Sequence, residues 1–330
     1  MRLGGTAEWF VEVRNRGELE EATDWARRQK LPVIVVGDGS NIIWRDEGFQ
    51  GLIIRNRIMH YEERPVAGEA GAVYVDVGAG ETWDNVVART AAHRLTGIEA
   101  LSSVPGTAGA TPIQNVGAYG QEIADTLVSL EAYDFQTGQH IVILASDCSF
   151  GYRTSRFKTD DRGRFCIIRM TLKLQSRNPQ PPFYPAVQQF LEENGAKDPA
   201  PQMLRDAVIA IRRAKLPDPE KIANCGSFFR NPLSSEIHCA RLLANYPEMP
   251  HWHCNARQVK ISAAWLIEQA GFKDFYDKET GMATWPMQSL VVINKSAKHT
   301  SQLLVFRQNI IDIVGRKFGI ALEQEPDLLP

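Results

Sequence analysis

At 330 residues the chain is too long for one simple core, and two or three domains are expected. Its 37 basic and 39 acidic residues leave a net charge of −2, too little positive potential for a general nucleic-acid binder. No apolar run approaches the ~20 residues that span a bilayer, and MRLGGTAEWF holds no signal-peptide core, so a cytoplasmic protein is expected.

Leu19 to Lys30 reads as an amphipathic helix, and Pro32 to Val36 as a short strand ending at the turn Gly37-Asp38-Gly39-Ser40-Asn41. Gly51 to Arg55 and Val73 to Val77 read as strands, and Thr82 to Arg94 as a helix opened by a threonine cap. Leu130 to Leu144 has the pattern of a hairpin with Gln136-Thr137-Gly138 at its tip. Phe165 to Leu174 alternates as a strand does. Asn178 to Pro185, with four prolines, marks a boundary or a covering loop. Further on, Met203 to Lys215 is a predicted helix stopped by Leu216-Pro217. Ser262 to Ala270 is another, closed by Gly271. Ser289 to Asn294 reads as a strand and His299 to Gly319 as a long helix. This order of elements is α+β.

Five cysteines (Cys148, Cys166, Cys225, Cys239 and Cys254) include no CxxC pair and fit reduced thiols. His251-Trp252-His253-Cys254 reads as a polar loop after Pro250 rather than a metal cluster, because no second ligand pair at zinc spacing follows.

The stretch VPGTAGATPIQNVGAYG, Val104 to Gly120, is the richest in chemistry. Gly106, Gly109, Gly117 and Gly120 stand among small residues, with no lysine, arginine or acid in the run. Glycine lets a ligand or another backbone come close, and here the hydrogen bonds must come from main-chain and side-chain amides. Such a wall suits a pyrophosphate and a flat heteroaromatic ring better than a metal. Gly37-Asp38-Gly39-Ser40-Asn41 follows a strand, as a phosphate loop does. It lacks the third glycine of a dinucleotide fingerprint (Ile42 stands in that place) and any Walker lysine. Two separate amide-rich turns can together hold a diphosphate.

Seven motifs occur in order: VVGDGSNII, VPGTAGATPIQNVGAYG, FGYRTSRFK (Phe150 to Lys158), RRAKLPDP (Arg212 to Pro219), NCGSFFRNP (Asn224 to Pro232), KISAAWLIEQAG (Lys260 to Gly271) and LEQE (Leu322 to Glu325). In this set the chain resembles the UDP-N-acetylenolpyruvoylglucosamine reductases, flavoenzymes of bacterial peptidoglycan precursor synthesis, over nearly its whole length. The resemblance is to the longer class, with a tyrosine-bearing substrate loop.

The resemblance implies an FAD-binding module of the vanillyl-alcohol-oxidase type over residues 1–177, in two lobes of about 1–55 and 56–177. A covering loop and linker would follow over 178–202, and an α+β substrate-binding domain over 203–330. FAD, held non-covalently, would lie against Gly37, Asp38, Gly39, Ser40, Asn41 and Ile42. On its other side would stand Pro105, Gly106, Thr107, Gly109, Ala110, Gln114, Asn115, Gly117, Ala118, Tyr119 and Gly120. NADPH would reduce the flavin and leave. The enolpyruvyl UDP-sugar would then accept hydride from flavin N5 and become UDP-N-acetylmuramate.

Three residues matching the family carry the chemistry. Arg153 would hold the substrate carboxylate through its planar fork. Glu325 would donate to the same carboxylate, and Ser227 would protonate carbon. Tyr119, Tyr152, Tyr184, Lys215, Asn231, Lys260 and Gln288 match positions that hold the substrate's phosphates, sugar or carboxylate, or the NADPH. Metal has no part in the reaction, relatives are mostly monomers, and neither nucleic acid nor membrane is an implied partner.

The chain departs from the family pattern at Thr284-Trp285-Pro286-Met287, where many relatives have a histidine. It departs again at Asp327, where relatives often have arginine, and at Cys225, where alanine is usual. Met1 falls almost inside an element that in relatives follows a longer leader. Two other readings fit parts of the sequence. A flavin oxidase with covalent attachment would need a histidine or cysteine that Val104 to Gly120 lacks. A non-catalytic binder would not need Arg153, Ser227 and Glu325 together.

Overall fold

Alternation from Arg169 onward shapes the central strand of the larger unit. In the strand Phe165–Ser176, Met170, Leu172 and Leu174 are fully buried while Arg169, Thr171 and Lys173 between them are partly exposed, as a period of two requires. The computed structural model describes residues 1–255 and 257–330. It divides into two units, one of Ala7–Ser40 with Phe49–Arg212 and one of Met1–Thr6, Asn41–Gly48 and Arg213–Pro330.

In the first unit, Phe165–Ser176 lies between Leu127–Asp134 and Ala72–Gly78 in an antiparallel sheet. Gln139–Leu144 and Tyr61–Pro65 form its outer strands, and Leu95–Thr96 pairs with one end of the central strand. The hairpin falls where the sequence predicts it. Gly138 takes φ +71° at its tip, and Gln136 N–H donates to the Asp134 carboxylate at 2.9 Å. The helix Trp83–Ala92 buries Trp83, Val86 and Val87 with the sheet's Val75, Val77, Met170 and Leu172. Thr82 stands at its cap position but makes no side-chain capping bond, contrary to the sequence expectation.

A second sheet of three parallel strands, in the order Ala7–Val13, Phe49–Asn56, Val33–Val36, completes that unit with the helix Arg16–Gln29. The helix starts earlier than its apolar pattern suggests because Asn15 caps it, accepting from Glu18 N–H at 2.9 Å. Residues 178–184 have no regular structure, but Pro185 opens a helix, Pro185–Glu193, that the proline count concealed. Its Val187 and Leu191 share a small core with Leu204, Ala207 and Val208 of the helix Pro201–Lys215.

In the second unit the helix Thr300–Phe318 buries Leu303, Phe306, Ile310, Val314 and Phe318, a spacing of three and four. Its first turn is held from far away in sequence. Asp46 accepts from Thr300 N–H at 2.6 Å and Ser301 N–H at 2.9 Å. One antiparallel sheet comprises Asn224–Ser227, Gln288–Asn294 and Met282–Trp285, and another Leu233–Ser235, Gln258–Ile261 and His251–Asn255. Ile42–Trp44 runs parallel to Asp327–Leu329.

One expectation is corrected here. His251 to Cys254 is not a loop but part of a strand, because His251 and His253 pair with Ile261 and Val259. The helix expected over Ser262 to Ala270 is present, α-helical over Ala263–Ile267 and wider from Glu268, and Gly271, at φ +95°, ends its helical backbone as expected. Among the described residues no group of histidines, cysteines and acids could hold a metal ion, and no helix is long and apolar enough to cross a membrane.

Candidate active site

The loop Gly37–Ser40 and the start of the wall fit one another at backbone distance. A Cβ on Gly37 would lie 2.2 Å from Thr107 Oγ1, and one on Gly106 would lie 2.8 Å from Ser40 Oγ. Ser40 Oγ donates to the Pro105 carbonyl at 3.1 Å. Gly39 takes φ +72° and Gly106 φ +116°, conformations open to glycine. Gly109 serves packing, since a Cβ there would lie 2.5 Å from that of Ala79. Among the described residues, the N–H groups of Gly37, Asp38, Gly39 and Ser40 donate to no main-chain carbonyl. The acid in this loop is neutralised, because Arg55 donates to the Asp38 carboxylate at 2.8 Å and Arg57 at 3.2 Å. Successive unspent N–H groups, an answered carboxylate and glycines at the closest approaches fit the diphosphate of a dinucleotide.

The rest of the wall is sewn to the segment FGYRTSRFK. Ala108–Ala110 and Pro112–Gln114 are single tight turns, and Thr111 and Asn115 close them. Gly117–Ala118 then pairs with Gln121–Glu122. Asn115 is fully buried at φ +49°, donates to the Gly151 carbonyl at 3.2 Å and accepts from Ala124 N–H at 3.0 Å. Ser155 Oγ donates to the Ile113 carbonyl at 2.6 Å, and Lys158 Nζ to Gln114 Oε1 at 3.0 Å.

Arg153, at φ +55°, reaches back so that its guanidinium donates to the Gly117 carbonyl at 2.5 Å. It also lies 5.3 Å from the centre of the neighbouring Tyr152 ring. Tyr119, at φ +48°, meets Tyr184 edge to face at 5.4 Å. Burial pushes the Tyr119 phenol up, opposed by the charge and hydrogen bond of Arg212. Burial in turn pulls the Arg212 guanidinium down. Ala110 and Gly120 are exposed on the wall, and a Cβ on Gly120 would meet open space.

The second unit carries the other candidates. Ser227 ends the strand Asn224–Ser227 and pairs with Val291. Gly226 before it has φ +73°, held by its N–H donating to Asn224 Oδ1 at 2.9 Å. The LEQE segment runs beside this strand's exit. Glu325 N–H donates to the Phe228 carbonyl at 2.9 Å, Gln324 bridges Phe229, and Arg230 N–H donates to the Glu323 carbonyl at 2.9 Å. Two residues on, Asp327 N–H donates to the Asn41 carbonyl at 3.0 Å and pairs with Ile42. Ser227, Glu325, Asn41 and Ile42 thus follow one another across adjoining backbone.

Cys225 is buried beside them, and burial pushes its thiol up to about 12. Asn231 caps a turn by accepting from Ala263 N–H at 2.9 Å, and Lys260 Nζ lies 5.8 Å from the Trp252 ring centre. The Lys215 carbonyl accepts from Trp285 Nε1 at 3.1 Å, and Gln288 pairs with Trp285 in the hairpin. Arg212 was not among the sequence candidates. Its signal, an arginine three residues before Lys215 in RRAKLPDP, does not distinguish it from Arg213.

This architecture defines an FAD-binding protein, as residues 7–143 match the model of the FAD binding domain. Residues 218–329 match the C-terminal domain of UDP-N-acetylenolpyruvoylglucosamine reductase. The reductase of that name from Ralstonia nicotianae is 38% identical over 98% of this chain and 94% of its own. That from Pseudomonas aeruginosa is 37% identical over 98% and 93%. The chain belongs to the UDP-N-acetylenolpyruvoylglucosamine reductase family, whose members are FAD-dependent oxidoreductases of peptidoglycan precursor synthesis. The crystal structure of the Thermus caldophilus reductase shares the fold, with a TM-score of 0.65 at 22% identity, covering 97% of this chain and 92% of that one.

Proposed function

We propose that this protein reduces UDP-N-acetylglucosamine enolpyruvate to UDP-N-acetylmuramate at the expense of NADPH. The observation that carries the reading is likeness to reductases of that name along 98% of the chain. When bound, FAD carries a hydride from NADPH to the terminal carbon of the enol ether. The residues Gly37 to Ile42 and, apart from the buried Asn115, whose side-chain amide is taken up by Gly151 and Ala124, Pro105 to Gly120 would hold it by amide N–H groups and close backbone, without a metal.

Hydride addition places negative charge on the substrate carboxylate as an enolate. Arg153 would present two parallel N–H donors to that group, and Glu325, when its carboxyl carries a proton, would present a third. Each donor strengthens as charge develops, so it lowers the barrier rather than merely binding the substrate. Ser227 then gives its hydroxyl proton to the carbon next to the carboxylate, and its alkoxide recovers a proton from solvent. The C–H bonds formed are one from hydride and one from proton, which balances the reduction. Tyr119, Tyr152, Tyr184, Lys215, Asn231, Lys260 and Gln288 orient the sugar nucleotide or the NADPH. The protein acts as a monomer in the cytoplasm.

The test is one anaerobic cuvette of purified protein. A flavin spectrum that bleaches with NADPH and recolours with the enolpyruvyl sugar nucleotide supports the reading. Bleaching without recolouring assigns a different electron acceptor, and protein that cannot take up FAD overturns the reading.

A further inference from the structure

We propose that Asn115 is a positioning residue for Arg153, fixing the turn that carries the arginine instead of contacting the cofactor. The inference rests on the role given to Arg153 above. Asn115 lies fully inside the protein, and its side-chain amide meets protein on both sides: Oδ1 accepts from Ala124 N–H and Nδ2 donates to the Gly151 carbonyl. That carbonyl belongs to the turn itself. Gly151 and Thr154 exchange two main-chain hydrogen bonds, at 3.1 and 3.2 Å, with Tyr152 and Arg153 between them. Arg153 occupies the left-handed region at φ +55°, which a residue with a Cβ rarely adopts unless its surroundings hold it there.

The fastenings are unequal. Ser155 to Ile113 and Lys158 to Gln114 pin the chain after the turn. The Gly117 carbonyl receives the guanidinium itself. Asn115 alone among these grips the turn on the side before Arg153. Asn115 is also left-handed, at φ +49°, so its bond to the Gly151 carbonyl ties together two segments that each carry a left-handed residue. Without that bond the Gly151 carbonyl keeps only the Thr154 N–H, a contact inside the turn itself, so the turn loses its tie to the wall and the guanidinium its aim. A misplacement of about 1 Å costs about 100-fold in rate.

The experiment uses the holoenzyme and two variants. Asn115→Asp keeps the acceptor for Ala124 and removes the donor to Gly151. Asn115→Gly keeps the left-handed backbone and removes both bonds, and it serves if the first variant folds poorly. Flavin content and the rate of bleaching by NADPH are expected to match the parent, while recolouring by the enolpyruvyl sugar nucleotide slows about 100-fold. The same substitutions in an Arg153→Ala background are expected to add at most about twofold, because the residue they act through is gone. Full additional slowing in that background overturns the proposal, as does lost flavin with unchanged recolouring, which would assign Asn115 to the cofactor. If Arg153→Ala alone recolours at the parent rate, it is the role of Arg153 that fails.

Discussion

Gly37→Ala is a perturbation whose size follows from two atoms. Gly37 does not occupy the left-handed region, so alanine adopts its backbone without strain and would by itself stabilise by about 0.4–1 kcal/mol through the unfolded state. Its Cβ, however, would lie 2.2 Å from Thr107 Oγ1, 3.3 Å from Thr107 Cβ and 3.4 Å from Thr107 Cγ2. Thr107 is 2% exposed and its backbone is bridged to Thr82, so the threonine cannot swing into solvent. Over-packing of this kind costs about 1–3 kcal/mol, leaving a net loss of about 1–2 kcal/mol. Part of the relief must come from the loop moving off the wall, which misaligns the N–H groups of Asp38, Gly39 and Ser40. Since 1.4 kcal/mol is tenfold in affinity, the Kd for FAD is expected to rise about tenfold. Titration of deflavinated protein with FAD, followed by flavin fluorescence, reads this directly. Thr107→Ala removes Oγ1 and Cγ2, and the double variant is expected to recover most of the affinity lost. Parent-like affinity in Gly37→Ala, or no recovery in the double variant, refutes the steric argument.

Ser227→Ala is expected to leave bleaching by NADPH intact and slow recolouring by several powers of ten, and equal turnover would remove Ser227 as the acid. Arg205→Ala breaks the paired bonds to Asp84 at 2.6 and 3.0 Å. With Asp84 one-third exposed, the cost is expected near 2 kcal/mol, below the about 3–5 of a fully buried pair. Burial pushes the Asp84 carboxyl up, but the bonds from Arg205 and Ser103 N–H outweigh it and leave it below the ordinary value. Its contribution is therefore complete above about pH 4 and lost as pH falls further; denaturant midpoints against pH should show a shallower acid limb in Arg205→Ala. Asp46→Ala removes acceptors from two N–H groups at the start of Thr300–Phe318 and is expected to cost about 1 kcal/mol, read as a lower melting temperature. Of the five thiols only Cys254 is exposed, so one thiol should react rapidly with an aromatic disulfide reagent, and Cys254→Ser should abolish that phase.

Elements whose side chains divide cleanly between core and water could be read from the sequence. Phe165–Ser176 and Thr300–Phe318 have regular apolar spacing over many residues, and both fall close to their predicted bounds. Asn224–Ser227, Leu233–Ser235 and His251–Asn255 could not be read. They are short, two contain little that is apolar, and each is a strand because a partner from elsewhere in the chain satisfies its peptide groups. The site divides in the same way. Glycine density and the order of motifs pointed to the loop and the wall. The clasp of Asn115 on Gly151, and the left-handed backbone of Arg153 and Tyr119, follow from contacts between distant segments, and a non-glycine residue at positive φ leaves no mark in composition. Arg212 beside Tyr119 was missed for the same reason.

The pairing of Ile42–Trp44 with Asp327–Leu329 sets a timetable. On a ribosome the earlier strand emerges with almost the entire protein still to be made, and its hydrogen-bonding groups stay open until the later one arrives. Closing so long a loop adds little to the equilibrium cost but delays the reward. During that interval an unpaired strand edge is a template for foreign strands. A truncated product containing only the flavin-binding residues would carry that edge permanently, so shortening the gene at its far end is a way to make its beginning aggregate.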